Sequence, residues 1–532
     1  MIHTAQSSGP LTNAISDLEL KSELEVPYSP ISDNNDQELQ ISEDESNASS
    51  SSSGDEVFLD VINQFNGRLN VEDIQGYSDG LLEDLNEALT ENSVMSMLPS
   101  FNINPTGSEH GKFLVIDLGG STLRIAVVDI KAPAAGENDE HRADRVNIVN
   151  ENKWIVSNKD KLIDQNFFRF MSSKIVETIK DQSTISVSDD VINVGITWSF
   201  PLTQVSHNSG RIVHVGKGWK IGDDIYDKDL KAVLETTMQQ EYGLTIDVRV
   251  VINDSIAVYA AGKFLTSHLK IAMVLGTGFN MSCSLKTGQF HSAKTLNEDA
   301  VLVNSETSLF GSNLFRLTNE FDHSIDSRFS RTERPFKAHM TFDGATDSIF
   351  QPSEFIASGR YLPELTRLAI VKLLNNNEMF RDLTIPPSSK LFTAYDGFSS
   401  ELMCFVSEQT DISMIKAKFV EEFNIDISNN DTMKVKQLVD SVIQRGSYTI
   451  AIVVIAFIKL LVMHNRENIV GEEVIVGYVG SIMVYFNNYR NSIIKYINES
   501  PYIKGLGATV DLMSIDDSSI VGAAVGAAYF QS

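Results

Sequence analysis

The stretch FLVIDLGGSTLR, residues 113–124, runs from one apolar segment through two glycines into another. Residues 113–117 have the composition of a short buried strand, and residues 124–129 that of a second one. Two strands joined by a Gly-rich turn predict a hairpin, not the strand-to-helix turn of a P-loop. Glycines also let backbone N–H groups approach a phosphate closely. The segment is therefore a candidate phosphate site, although a hairpin turn without a ligand would use the same glycines.

A second segment of this kind lies further along the chain. The strand-like residues 271–275 stop at Gly276-Thr277-Gly278, and residues 281–285 resume the apolar pattern. One such turn is weak support for nucleotide binding. Two of them in one chain indicate two related lobes whose hairpins both face a nucleotide.

Polar residues at the strand ends suggest the chemistry. Asp254 follows Asn253 where the predicted strand 247–252 meets a helix-like segment, and a carboxylate there could act as a general base toward a hydroxyl. A helix N-cap explains an Asn or Asp at this place equally well. Asp117 could hold a hydrated Mg²⁺, and Arg124 could neutralise phosphate oxygens.

The remaining pattern mixes strands with helices, which predicts an α/β protein, and 532 residues are too many for one ordinary core. A helix is predicted from residue 57, and a second from Ser78 to Leu89 with Ser78 as its N-cap. Further helices are predicted at 255–264, 353–374, 435–463 and 519–529, and further strands at 191–200 and 474–479. The charged residues 136–145 are predicted to form a hairpin tip.

Charge and cysteine content exclude some classes of function. With 43 Lys and Arg against 71 Asp and Glu, the net charge is −28, so nucleic acids and anionic membranes would repel the chain. Cys283 and Cys404 lack metal-like spacing and are expected to be reduced thiols of an intracellular protein. The most apolar stretch, 448–463, contains Lys459 and is shorter than a membrane span requires, so we expect a buried helix.

The N-terminal segment differs from the rest of the chain. Residues 1–56 contain 12 acidic residues, one lysine (Lys21) and a serine run from Ser49 to Ser53. Such a segment has too little apolar surface to offset the entropy of ordering, which predicts a disordered tail. Serines beside acids are also candidate phosphorylation sites.

Six motifs in one order resemble the hexokinase family over residues 57–530. DLGGSTLR (117–124) resembles the family's first phosphate motif and GTGFN (276–280) its second, while INDS (252–255) resembles its catalytic motif. WSFPLTQ (198–204) and GKGW (216–219) together resemble its sugar-binding signature. NSE (304–306) resembles its N-x-E, and Glu354 before SGRYL (358–362) resembles the Glu before its SGxYLGE.

The resemblance implies a two-lobed, actin-like ATPase fold, with a mixed sheet flanked by helices in each lobe and a cleft between the lobes. It implies an N-terminal region at 57–260, mostly small lobe, and a C-terminal region at 261–532, the large lobe. It implies an ATP-dependent sugar kinase that uses Mg²⁺ and works as a monomer or homodimer. The expected location is the cytoplasm, and the sequence leaves a nuclear pool open.

The resemblance also assigns roles to individual residues. The implied catalytic residues are Asp254 as general base, Lys217 and Arg124. The implied sugar ligands are Thr203, Gly216, Lys217, Asn253, Asp254, Asn280, Glu306 and Glu354. The implied ATP contacts are Asp117, Gly119, Gly120, Ser121, Arg124, Gly276, Thr277, Gly278, Gly480, Ser481 and Ser519, and Asp117 is placed near Mg²⁺, through water. Trp219 is left with two interpretations, a wall of the sugar pocket or a packing residue.

Several positions depart from the glucose-phosphorylating members. Thr203 replaces Ser, Gly216 replaces Thr, Val479 replaces Asp, and two glycines of the adenosine loop at 517–522 are replaced. Met281-Ser282 stands where the family usually has Gly-Ala. The N-acetylglucosamine kinases of budding yeasts resemble this chain more closely, at DLGGSTLRI (117–125), GITWSFP (195–201), AMVLGTG (272–278), SGRYLPELT (358–366) and GYVGS (477–481). This subgroup also has Val at the position of Val479. This implies phosphorylation of N-acetyl-D-glucosamine at its 6-hydroxyl. The alternatives are a general glucose hexokinase and a sugar-sensing regulator with little catalysis.

Overall fold

The structure is a computed structural model that describes residues 56–531, except 92, 135, 137, 181–190, 201, 214, 216–217, 331–336, 341–348 and 466–468. The predicted disordered tail therefore lies outside the described residues, apart from Glu56. Two mixed sheets, each flanked by helices, form two lobes. The two-lobed α/β architecture is thus confirmed.

The described strands are β1 Leu98–Phe101, β2 Gly111–Leu118, β3 Thr122–Ile130, β4 Val146–Ile155, β5 Leu162–Ile163, β6 Ile192–Trp198, β7 Thr203–Ser206, β8 Ser209–Arg211, β9 Lys220–Ile221, β10 Ile246–Ile252, β11 Leu269–Leu275, β12 Phe279–Lys286, β13 Ala300–Asn304, β14 Glu473–Val479 and β15 Thr509–Ser514. The described α-helices are α1 Glu56–Asn66, α2 Ile74–Thr90, α3 Gln165–Lys180, α4 Leu230–Tyr242, α5 Asp254–Leu265, α6 Glu320–Ile325, α7 Pro352–Ala357, α8 Leu362–Asn375, α9 Lys390–Thr393, α10 Ser400–Glu408, α11 Ile412–Phe423, α12 Asn429–Asn465, α13 Ser481–Tyr485, α14 Asn487–Glu499, α15 Pro501–Leu506 and α16 Ser518–Tyr529.

The small lobe contains a five-stranded sheet in the order β10-β6-β2-β3-β4. Strands β2 and β3 are antiparallel, with Asp117 opposite Arg124 and Leu118 opposite Leu123, which confirms the first predicted hairpin. Strand β6 runs parallel to both β2 and β10. The connection from β3 to the antiparallel β4 contains two short 3₁₀ turns at Asp139–His141 and Ala143–Arg145.

The large lobe contains a six-stranded sheet in the order β1-β13-β12-β11-β14-β15. Strands β11 and β12 are antiparallel, with Leu275 opposite Phe279, which confirms the second hairpin. Strand β14 runs parallel to β11 and ends beside the second glycine turn. The two glycine turns therefore occupy equivalent places, one in each lobe.

The chain crosses between the lobes more than once. Strand β1, from the N-terminal part, pairs with β13 at the edge of the large-lobe sheet, and α1 and α2 pack against α12. At the other end of the chain, α16 packs on β2, β6 and β10 of the small lobe. Each lobe is thus completed by a piece from the other half of the sequence.

Helices α5 and α16 form the middle layer between the two sheets. They share a buried apolar cluster with Val115, Leu269 and Ala272, which belong to both sheets. Gly522 in α16 faces the backbone of Ala257 in α5, and a Cβ at Gly522 would lie 2.1 Å from the Ala257 carbonyl oxygen. The small residues of α16 therefore permit a close crossing of the two helices.

Two helix predictions need correction. Ser78 is not an N-cap: α2 begins four residues earlier at Ile74, and the Ser78 hydroxyl donates to the Ile74 carbonyl at 2.8 Å. The single helix predicted over 353–374 is two helices, α7 and α8, separated at 358–361. There the Gly359 N–H donates to the Gly276 carbonyl at 2.8 Å. The two residues are far apart in the chain, so local sequence does not reveal this contact.

Helix α12 is long and apolar enough, by length and composition, to cross a membrane. Its most apolar window is 89% buried inside the large lobe. Within the same helix, Arg445 is fully buried and donates to the Asp322 carboxylate at 2.6 Å. The predicted buried helix is confirmed, and α12 is the centre of the large-lobe core.

Candidate functional site

The first glycine turn holds a buried ion pair at its base. Arg124 donates to Asp117 Oδ2 from Nε at 2.9 Å and from its Nη2 at 2.8 Å. The turn closes with the Gly119 N–H donating to the Thr122 carbonyl at 2.9 Å. The Gly120 carbonyl accepts a hydrogen bond from the Trp219 indole at 2.8 Å. The pair and the indole fix the turn from both sides.

Arg124 lies among three carboxylates. Besides Asp117 it approaches Glu151 Oε1 at 3.4 Å and Asp517 Oδ1 at 3.7 Å. Burial of the guanidinium lowers its pKa, but the three carboxylates more than reverse this and the pKa of Arg124 is raised. Arg124 stays charged and is held at the base of the turn.

Asp117 lies in an environment that disfavours its ionised form. Burial raises the pKa of the Asp117 carboxyl above its ordinary value, Arg124 opposes this, and the nearby charge of Asp254 raises it further. The carboxylates of Asp117 and Asp254 thus lie within electrostatic reach of each other. A cation between or beside them would lower the cost of keeping Asp117 ionised.

The second glycine turn is packed against two other backbone segments. The Gly276 N–H donates to the Gly278 carbonyl at 3.0 Å. Gly480, with φ of 113°, lies so close that a Cβ there would be 2.3 Å from the Leu275 carbonyl oxygen. A Cβ on Gly276 would be 3.3 Å from the Ser481 N. Thr277 at the tip is exposed. The turn, Gly359, Gly480 and Ser481 therefore form one backbone-lined surface.

Asn253 and Asp254 begin α5. The Asn253 side chain is the N-cap and accepts from the Ser255 N–H at 3.0 Å, so the capping interpretation is correct for this residue. Asp254 Oδ1 accepts from the same N–H at 2.8 Å. This leaves Asp254 Oδ2 and Asn253 Nδ2 without a hydrogen bond to the described chain. Asn253 can therefore cap α5 through its side-chain oxygen and still offer Nδ2 to a ligand.

A chain of side-chain hydrogen bonds connects α5 with the large-lobe sheet. Asn304 Oδ1 accepts from the Ser255 hydroxyl at 3.0 Å and from Asn280 Nδ2 at 2.8 Å. Asn304 Nδ2 donates to Glu306 Oε1 at 2.8 Å. Glu306 has a left-handed backbone with φ of 52°. Asn280, Glu306 and the start of α5 are thus held in one network, with Asn304 at its centre.

Glu354 joins this group from the N-terminal part of α7. Its Oε2 accepts from the Phe279 N–H at 2.9 Å and lies against Gly278, where a Cβ would come within 3.0 Å of it. Glu354 therefore borders the second glycine turn. It contacts Phe279, the residue that immediately precedes Asn280. Four of the predicted sugar ligands, Asn253, Asn280, Glu306 and Glu354, are brought together with Asp254.

The small-lobe side of the site is described only in part. Gly216 and Lys217 lie outside the described residues, so their predicted roles have no structural counterpart here. Thr203 begins β7 and is exposed. Trp219 is 5% exposed and packs edge-on against Phe200. Packing is the observed role of Trp219, and its bond to Gly120 couples that packing to the phosphate turn.

The start of α16 borders the first turn. The Thr197 hydroxyl donates to the Ser519 carbonyl at 2.7 Å, and Asp517, just before the helix, faces Arg124. Asp517 has φ of 48°, a conformation that Asp tolerates better than most residues. Ser519 is thereby placed at the edge of the first glycine turn.

Three residues of this arrangement were not predicted as site residues: Asn304, Glu151 and Asp517. Asn304 stands in the NSE segment, so the motif contained the signal, although the resemblance implies a role only for Glu306. Glu151 and Asp517 come from a strand and a loop far away in sequence. Only the fold brings them to Arg124.

The donor set suits a magnesium ion. Arg124 occupies Asp117 Oδ2, which leaves Oδ1 as an oxygen ligand, and Asp254 is close by. Mg²⁺ in proteins typically has one or two carboxylates and retains waters or substrate phosphates as its other ligands. Asp117 is therefore the residue that would hold the ion, directly or through water.

The comparisons with known proteins agree with this geometry. Two family models described as hexokinase match residues 60–264 and 270–529. The chain is 46% identical over 482 residues to N-acetylglucosamine kinase 1 of Candida albicans, covering 90% of this chain and 95% of that protein. It is 25% identical to hexokinase-2 of Solanum tuberosum, covering 85% and 88%. A hexokinase from Schistosoma mansoni complexed with glucose superposes with a TM-score of 0.68 at 21% identity, covering 90% and 99%.

Proposed function

Because the chain belongs to the hexokinase family, we propose that it transfers the γ-phosphoryl group of ATP to the 6-hydroxyl of N-acetyl-D-glucosamine. The products are N-acetylglucosamine 6-phosphate and ADP. An ATP-dependent sugar kinase is the enzyme class of the family. The amino sugar as acceptor is supported by the 46% identity to the Candida albicans enzyme over almost the whole chain.

The observation that carries the proposal is the position of Asp254. Its carboxylate lies within electrostatic reach of Asp117 at the first phosphate turn. Through the following residue, Ser255, it also belongs to the network of Asn304, Asn280 and Glu306. A base between a phosphate site and a group of sugar-type ligands is what phosphoryl transfer to a hydroxyl requires.

The proton transfer can be assigned to one atom. Asp254 Oδ1 is held by the Ser255 N–H, so Oδ2 is the oxygen that accepts the proton of the sugar 6-hydroxyl. The O6–P bond forms as the bond from the γ-phosphorus to the β,γ-bridging oxygen breaks. ADP leaves with that electron pair. The protein contributes mainly position and charge, as is usual for this reaction class.

The phosphates would lie between the two glycine turns. Arg124 neutralises phosphate oxygens, and the backbone N–H groups of Gly120 and Ser121 face them from the small lobe, because the Gly119 N–H already donates to Thr122 within the turn. The N–H groups of Thr277 and Gly278 do the same from the large lobe, where Gly276 closes the turn by donating to the Gly278 carbonyl. Gly480, Ser481 and Ser519 border the nucleoside. Mg²⁺, held by Asp117 through water, supplies charge neutralisation on the phosphates when bound.

The sugar hydroxyls would be ligated from the large-lobe network. Asn253 Nδ2 is a donor, while Glu306 and Glu354 are acceptors, so each hydroxyl can both donate and accept. Asn280 uses both polar atoms within the chain but keeps a second N–H on Nδ2. We assign Lys217, Gly216 and Thr203 to the small-lobe side of the pocket. Glycine at 216 leaves room for a substituent such as the 2-acetamido group.

We also propose that the enzyme works in the cytoplasm, because an imported amino sugar must be phosphorylated where ATP is available.

Lobe closure over the sugar would expel water, which otherwise competes for the phosphoryl group. Phosphorylation then traps the sugar, since the product is charged.

The test is a coupled ADP-release assay with Mg-ATP that compares N-acetylglucosamine and glucose over a concentration series. We expect a much higher kcat/KM for N-acetylglucosamine. Preference for glucose would overturn the substrate assignment and leave a general hexokinase. No turnover of either sugar by protein that still binds N-acetylglucosamine would favour a sugar-sensing regulator instead.

A further inference from the structure

A group of side chains of the types that ligate metals lies in the large lobe, apart from the nucleotide and sugar residues. It consists of Asp84 and Glu87 on α2 and His339 on the segment 337–340. One ligand atom from each residue lies within 4.8 Å of the other two. Asp84 and His339 are buried, at 6% and 1% exposure. A nitrogen and two carboxylate oxygens are typical ligands of a divalent transition metal.

The imidazole of His339 supplies the second observation. Its Nε2 is buried and has no hydrogen-bond partner among the described residues. The ring stacks on Phe310 at 4.6 Å between centroids, and its backbone carbonyl accepts from the Ser96 hydroxyl at 3.4 Å, so its position is fixed. A buried polar nitrogen without a partner is costly, and a metal ion would satisfy it.

The carboxylates have oxygens to spare. Ser312 donates to Asp84 Oδ2 at 3.0 Å, which leaves Oδ1. Lys337 pairs with Glu87 Oε2, which leaves Oε1. The two existing contacts therefore hold the carboxylates in place without using all their lone pairs. Such outer contacts are typical of metal ligands.

The charge balance also favours a cation. The carboxylates of Asp84 and Glu87 lie together beside the buried ring of His339. Lys337 supplies one positive charge for two nearby carboxylates.

We propose that Asp84, Glu87 and His339 bind one divalent transition-metal ion of the Zn²⁺ type, with water as a further ligand. Two ligands on one Zn²⁺ lie roughly 3.4 Å apart for bonds of about 2.1 Å, so the side chains must close by roughly 1 Å. Rotation of the Glu87 side chain, which is partly exposed, can provide this if its contact with Lys337 shifts along with it.

The site would link α2 to the loop behind the sugar residues. Phe310, on which His339 stacks, follows the 3₁₀ turn that begins after Glu306. The Phe310 carbonyl accepts from the Ser353 N–H at 3.2 Å, next to Glu354. The ion would thus brace the two segments that carry Glu306 and Glu354. Its role is structural, since none of its ligands touches the reacting groups.

The experiment titrates the untagged full-length chain, stripped of metal with a chelator, with Zn²⁺ and separately with Co²⁺ in the absence of ATP. We expect one equivalent to bind, the visible absorption of four-coordinate Co²⁺, and a higher melting temperature with Zn²⁺. His339→Gln and Asp84→Asn should each weaken binding at least about tenfold. Asp84→Asn removes a buried charge, so it is expected to fold even if His339→Gln does not.

The chain offers a matched control in His464. Its Nε2 is also buried without a described partner, and its ring also packs on a phenylalanine, Phe290. It is not part of the Asp84 group, so His464→Gln should keep the site intact and bind like the wild type. The proposal is overturned if the wild type binds no equivalent of Zn²⁺ or Co²⁺, or if Asp84→Asn binds as tightly as His464→Gln.

Discussion

Asp254 is a residue whose two carboxylate oxygens have different tasks. One is fixed by the Ser255 N–H at 2.8 Å and the other is available to the substrate. Asp254→Asn preserves the fixed contact but removes the base. We expect kcat to fall about 10²–10⁴-fold while sugar binding changes little. Steady-state kinetics and calorimetric titration with N-acetylglucosamine measure the two effects.

Asn253→Ala is the matched control, because it removes the helix cap and a proposed sugar ligand but leaves the base. It should weaken sugar binding and lower stability by about 1 kcal/mol, with a smaller effect on kcat. If Asp254→Asn turns over at a rate near the wild type, Asp254 is not the base.

Asp84 provides a pH-dependent prediction. Its pKa is raised to about 6 by burial, while in the unfolded chain it is near its ordinary 3.8. The folded state therefore binds the proton more tightly, and the wild type loses stability as the pH rises between about 4 and 6, with no further loss above. In metal-free buffer, Asp84→Asn should be more stable than the wild type by about 2–3 kcal/mol at pH 7.5 and by about half of that at pH 5.

Thermal melts with a chelator present, at the two pH values, measure this difference. Glu83→Gln, on the same helix, is the control, because Glu83 contributes only a minor part of the Asp84 shift. An Asp84→Asn protein that is less stable than the wild type at pH 7.5 would contradict a destabilising buried charge.

At the scale of elements, the crossing of α5 and α16 depends on one missing side chain. A Cβ at Gly522 would lie 2.1 Å from the Ala257 carbonyl oxygen, a backbone atom that cannot rotate away. Gly522→Ala must therefore separate the two helices. We expect a loss of about 1–3 kcal/mol of stability, visible in the melting temperature, and reduced activity because the helices lie between the lobes.

Gly526→Ala is a control on the same helix. The atoms nearest to its Cβ would be side-chain methyl groups of Val250 and Ile103, at 3.2 Å or more. The helix propensity of Ala offsets part of this tighter packing, so the change should stay within about 1 kcal/mol of the wild type. Equal effects of the two substitutions would contradict a specific contact at Gly522.

Sequence reasoning predicted the elements whose signals are local. The two glycine hairpins and α5 combine apolar runs with turn residues or a cap, and all three are observed. The break between α7 and α8 was missed, because it follows from the hydrogen bond between Gly359 and Gly276, which are far apart in the chain. In the site, the same distinction holds: Asp254 and Glu306 stand in recognisable motifs, whereas Asp517 reaches Arg124 only through the packing of α16.

At the scale of the whole molecule, neither lobe is a continuous piece of sequence. The hexokinase models meet between residues 264 and 270, just where α5 ends and β11 begins. Yet β1, α1 and α2 lie on the large lobe and α16 lies on the small lobe. This exchange ties the lobes together, with α5 and α16 as the layer between them. Motion of one lobe against the other must therefore involve this layer.

The exchange predicts how the chain behaves when it is divided at residue 266. The fragment 1–266 lacks α16, which covers β2, β6 and β10, and the fragment 267–532 lacks the edge strand β1. Each would expose a large apolar surface, so we expect neither to unfold cooperatively alone, whereas co-expressed fragments should copurify with kinase activity. Introducing Gly522→Ala into the C-terminal fragment should weaken this association, and Gly526→Ala should not. A cooperative melt of either fragment by itself would show that the crossing segments are dispensable for the lobe they complete.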